Sequence, residues 1–179
     1  MKSHYLALLC MAVGPLGAQP AGISSEWDIR AALQGLSAQI ARLQPVLEQV
    51  HPKEWEGASE TYLRQWESTR AQASAVQTVV ANLGREPEKL SIALDVFFRL
   101  QNLETLLGSL AEGVRRYQNP ALADLLSGVV AESSSSRQQL RQYVMDLAQL
   151  KEQEFQVMDR EAQRCRAFLS RQPAPVKKK

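Results

Sequence analysis

The sequence predicts an all-α protein: an antiparallel helical bundle of four to five helices, preceded by a secretory signal peptide. Three observations carry this. No run alternates apolar and polar residues, and Ala, Leu, Gln, Glu and Arg dominate, a helix-forming composition. Apolar residues recur at alternating spacings of four and three along three separate segments. Proline and glycine gather at short breaks, His51–Gly57, Gly84–Pro87, Asn119–Pro120 and Pro173–Lys179.

Residues 1–18 read as the signal peptide. Lys2 gives a positive start, Tyr5–Val13 an unbroken apolar core, and Gly14, Pro15 and Gly17 a break before Ala18. Cleavage there would leave Gln19 as the first residue of a 161-residue chain, with Ala21 as the alternative cut. The apolar core has nine residues, against about 20 for a membrane span. A lipidated Cys10 is disfavoured by Leu9, which stands where a small residue is needed. The expected location is therefore periplasmic or secreted.

The remainder, 19–170, is one domain's worth of chain. Its helices are expected at about 24–50, 58–83, 87–117, 120–132 and 136–170. In the first, Ile29, Leu33, Leu36, Ile40, Leu43, Leu47 and Val50 form the apolar stripe. Ser24 or Ser25 would cap it, Glu26 and Asp28 suit its positive end, and Pro45 should bend it without ending the stripe. The second stripe is Tyr62, Trp66, Thr69, Ala73, Val76, Val80 and Leu83, with Gly84 as a left-handed stop. The third, from Val96 to Tyr117 through Leu100, Leu103, Leu107, Leu110 and Val114, follows Pro87 as a first helical residue. Three stripes of equal length, each about 30 Å at ~1.5 Å per residue, predict one shared core. Short connections make neighbours antiparallel.

Segment 120–170 begins with Pro120 capped by Asn119. Its stripe runs from Leu122 to Leu150 but places Ser133 and Ser136 on the seam. Serines bury little and compete with the helix for backbone hydrogen bonds, so a break is expected at 133–136. The alternative is one overhanging helix, whose stripe of Phe155, Met158 and Leu169 would have to pair with another chain.

Charge and composition exclude several functions. The chain holds 21 basic and 19 acidic residues. Lys2 and four cations of the tail 171–179 account for five of the basic ones, so residues 19–170 carry a net −3. Nucleic acid is therefore not an expected partner, since it requires clustered basic residues on the folded surface. The tail is expected to be disordered, with at most peripheral membrane contact through Lys177–Lys179. After cleavage one histidine, His51, and one cysteine, Cys165, remain. A di-iron bundle needs two Glu-x-x-His pairs, and a c-type haem needs Cys-x-x-Cys-His. Neither is present, and there is no glycine-rich phosphate loop. No catalytic residue, cofactor or metal ligand is expected. The paired carboxylates Glu152/Glu154 and Asp159/Glu161 lie among Lys151, Arg160 and Arg164 and read as a solvated helix face.

Two features could still carry function. An up-down-up course brings Trp55, Tyr62, Arg115, Arg116 and Tyr117 to one end, as a partner-binding patch. The simpler reading is that the aromatic rings plug the end of the core. Cys165 reads first as a small core residue; an interchain disulfide or a free reactive thiol are the alternatives. The leading expectation is a non-catalytic exported bundle binding another envelope protein or itself, as a homodimer. The alternatives are a carrier of an apolar ligand or unfolded chain, using space beside Thr69, Ala73 and the seam serines, and a thiol-based redox protein.

Overall fold

The computed structural model describes residues 26–171. The signal-peptide segment, the Ser24/Ser25 cap and the tail beyond Arg171 lie outside them. Among the described residues the structure is all-helical. It comprises α1 (Glu26–Glu48), a 3-10 turn (Pro52–Glu54), α2 (Thr61–Arg85), α3 (Leu90–Tyr117) and α4 (Pro120–Arg171), with no strand. Helix α1 packs on α2 and α4, and α3 packs on α2 and α4, so the four helices close a ring around one core. The α1–α2 and α3–α4 connections share one end, where the Gln118 side chain bonds to Gln49 and His51. The α2–α3 turn lies at the other end, where the Tyr143 hydroxyl donates to the Pro87 carbonyl at 2.6 Å.

The core follows the expected stripes. All seven positions from Ile29 to Val50 are buried, as are Thr69 to Leu83 and Val96 to Val114 along theirs. Tyr62, Trp66 and Tyr117 are half-buried at the end of the ring. Helix α1 runs through Pro45 with its stripe intact.

The boundaries depart from expectation for local reasons. Helix α1 stops at Glu48 because Pro52 holds His51 out of helical geometry, at φ −118° and ψ 70°. Gly57 turns the chain back at φ 72°, and Ser59 accepts from the Thr61 N–H, so α2 starts at Thr61 rather than 58. Gly84 is not a left-handed stop: it lies within α2, and Gly57 is the only described glycine with positive φ. The helix is ended by Pro87, which restricts Glu86 to φ −129° and ψ 65°. Pro87 in turn sits in the connecting turn, not at a first helical position, and α3 begins at Leu90. Asn119 does cap α4, its side-chain oxygen accepting from the Ala121 N–H at 2.8 Å with Pro120 leading the helix.

The main correction concerns 120–170. There is no break at the serines, and four helices replace five: α4 is one helix of 52 residues. Tertiary contacts override the weak local propensity. The Ser133 hydroxyl donates back to the Val130 carbonyl and lies 3.2 Å from a Glu104 carboxylate oxygen on α3. Glu104 also pairs with Arg137. From the other side Arg42 of α1 pairs with Glu132 at 2.6 Å, and Gln39 donates to the Glu132 carbonyl. Ser136 is buried 3.8 Å from where a Cβ on Gly35 would lie, so a small residue at each position lets α1 and α4 approach. The Glu104 side chain is 12% exposed and depends on Arg137 for its countercharge. Arg137→Ala is expected to lower unfolding free energy by about 1–2 kcal/mol, since a nearly buried carboxylate would be left without its cation. Urea denaturation would measure this, and Glu104→Gln in the same background should recover part of the loss.

A 52-residue helix is about 78 Å long at ~1.5 Å per residue, roughly twice the other three. Leu147 is its last core residue, Leu150 and Lys151 are half-buried, and 152–171 projects beyond the α2–α3 turn, exposed except for a half-buried Ala162. No described helix is long and apolar enough to cross a membrane.

Candidate functional site

The structure brings Trp55, Tyr62 and Tyr117 together, with Arg116 at their rim over Tyr117 and Arg115 turned away to Asp124 and Glu112. The Trp55 and Tyr117 rings stack at 5.7 Å with 16° between planes. Tyr62 meets both edge-on, at 5.5 and 5.6 Å. This follows from local sequence. The 3-10 turn set by Pro52 delivers Trp55 inward, Tyr62 stands on the first turn of α2, and Tyr117 on the last turn of α3. Gly113 makes room beneath them: a Cβ there would lie 2.7 Å from a Tyr62 ring carbon and 3.1 Å from Trp55.

Trp55 is 6% exposed, and its indole N–H donates to the Gln118 side-chain oxygen at 3.1 Å. The same oxygen accepts from the His51 backbone N–H, while the Gln118 amide donates to the Gln49 carbonyl at 2.6 Å. Trp66 donates to the Leu47 carbonyl at 2.8 Å, satisfying a helix-end acceptor. The rings are thus engaged with one another and with the ends of α1 and α3, as a plug.

The two arginines differ in their partners. Arg115 pairs with Asp124 at 2.6 Å and with Glu112 at 3.2 Å. The hydrogen bond to Asp124 raises the Arg115 pKa above its already high ordinary value, so the group stays charged. The Arg116 guanidinium lies 5.2 Å from the Tyr117 ring centroid, a cation–π contact at the rim. Gln118, which joins both connections, was not singled out from the sequence; a glutamine in a turn carries no pattern that marks it.

Cys165 lies on the projecting half of α4 and is an exposed free thiol rather than a core residue. Its neighbour Arg164 pairs with Glu161 at 2.8 Å, and Arg160 donates to the Gln156 carbonyl. His51 sits at the opposite end of the ring. Among the described residues no group of three or more His, Cys, Asp or Glu is placed to hold a metal ion.

The grooves lie on the outside of the ring. One of about 510 Å³ runs between α1 and α2, lined by Arg30, Leu33, Ser37, Val80 and Arg85 among others. Another of about 500 Å³ lies between α3 and α4 over the Glu104–Arg137 pair. The small seam residues Thr69, Ala73, Ser133 and Ser136 are all buried in the core.

Among the described residues, five of the eight large apolar side chains that face solvent lie on the projecting helix: Phe155, Val157, Met158, Phe168 and Leu169. Comparison with protein-family models, curated proteins and solved structures returned no match for this chain.

Proposed function

We propose that this protein is an exported antiparallel four-helix bundle with a non-catalytic binding or scaffold role in the cell envelope, periplasmic or secreted. The observation that carries the reading is the projecting half of α4. Single exposed apolar residues are ordinary, but several large ones on one unsupported helix mark an interaction surface. Most helix stability in proteins comes from packing of an amphipathic face, and this segment has no such packing within its own chain, so it gains most from a partner. The aromatic end is the weaker candidate, because its rings are packed on one another and only Arg116 and the edge of Tyr117 remain to offer. Carriage of an apolar ligand would need interior space where Thr69, Ala73 and the serines are packed.

Two measurements test the proposal. N-terminal sequencing of protein from an envelope or secreted fraction should read from Gln19; an intact Met1 in the cytoplasmic fraction would overturn export. Crosslinking of the full chain in envelope extracts should give a higher-mass species. That species should disappear in Phe155→Ser/Met158→Ser at unchanged helical content, and identical patterns would overturn the assignment of the surface.

A further inference from the structure

The apolar face of the projecting helix is continuous with the face that α4 buries in the ring. Ser136, Leu147, Met158 and Leu169 are spaced by eleven residues, which is three helical turns to within about 20°. The first two are 9% and 2% exposed, the last two 68% and 65%. Phe155, Ala162 and Cys165 complete a three–four alternation with Met158 and Leu169 on that face, the pattern of a two-helix seam.

Charge along the projection is polarised. Residues 151–161 hold four acidic and two basic groups; residues 162–171 hold three basic and no acidic ones. A helix acidic at its base and basic at its tip is complementary to itself only when reversed.

We infer that residues 151–171 of α4 pair antiparallel with the same segment of a second copy, making a homodimer with its two rings at opposite ends. This deepens the binding or scaffold reading and rests on it. Direction follows from the fold as well as from charge. Below Leu150 the same face is covered by α1 and α3, so a second α4 laid on it in parallel would drive its own ring into them. Reversed, it meets only the projection. Phe155, at the base of this seam, is 69% exposed. Phe155, Met158 and Leu169 of each copy, with Ala162 and Cys165 between them, can bury on the order of 1,000 Å² in total, the lower bound for a specific interface.

The test is light scattering or sedimentation of the purified full chain at micromolar concentration, with spin-label distances. The expected species has twice the 20.0 kDa chain mass. Met158→Glu/Leu169→Glu, at exposed positions that leave the ring intact, should raise the dissociation constant at least about a hundredfold. A label on Cys165, near the centre of the pairing, should give an intermolecular distance under about 20 Å. A label at Gln149→Cys in a Cys165→Ser background should give about 40 Å. Three outcomes overturn the inference: a monomer, a dimer indifferent to the double substitution, or a short distance between the Gln149→Cys labels. Cover of the stripe by residues 1–25, or by a lipid surface, would return the monomer. A monomer that still captures another envelope protein through Phe155 and Met158 would overturn the dimer and leave the binding reading standing.

Discussion

Trp55→Ala is expected to lower the free energy of unfolding by about 3–5 kcal/mol, with a fall in Tm of about 10 °C. The indole is almost fully buried and touches both tyrosines. It also lies over Gly113, so its removal leaves a cavity that helix backbones cannot close. Its N–H shares the Gln118 oxygen with His51, which would keep one donor of two. Trp55→Phe separates the contributions. A ring is retained and the hydrogen bond lost, for about 1 kcal/mol plus a smaller cavity term. Urea denaturation of the three proteins measures all of this. A change below about 0.5 kcal/mol for Trp55→Ala, the range of ordinary surface sites, would mean that the aromatic end is a surface patch rather than a plug.

Ser135→Pro is expected to cost about 3 kcal/mol or more. Ser135 faces solvent in mid-α4, so the side chain loses nothing. Proline there removes the N–H that bonds four residues back and drives its ring into that carbonyl. The lesion falls beside the Ser133–Glu104–Arg137 contacts that hold α4 on α3. The matched substitution Ser135→Ala should stabilise by about 0.5 kcal/mol, because alanine is the better helix former. Opposite signs at one exposed position are diagnostic of helix. In a loop at 133–136 both effects would be small, so equilibrium unfolding with circular dichroism decides between the two arrangements.

Much of this fold was legible from spacing alone. The Ile29–Val50, Thr69–Leu83 and Val96–Val114 stripes are the core, because one buried face of a helix forces a period near 3.5 on the sequence. The cap at Asn119–Pro120 was legible for a similar reason: it depends on two adjacent residues. The stops were harder. At Gly84–Pro87 two breakers lie three residues apart, and proline disfavours helical geometry in its predecessor while glycine only permits a turn. Of the candidate patch, the meeting of Trp55, Tyr62 and Tyr117 was foreseen from an up-down-up course, but whether the rings faced water or one another was not.

The amino-acid order thus determined the helical class, the three matched stripes and the polarised charge of the last helix, since each is set by residues within a few turns of one another. Tertiary structure decided the rest. Ser133 and Ser136 are poor helix and core residues in isolation, and only Glu104, Gly35 and the Arg42–Glu132 pair, reaching them from α3 and α1, make a continuous helix the better arrangement. That continuity carries Phe155, Met158 and Leu169 beyond the ring instead of folding them back into it. A stripe records that a face wants to be buried; whether its own chain is long enough to bury it is decided by where the neighbouring helices end.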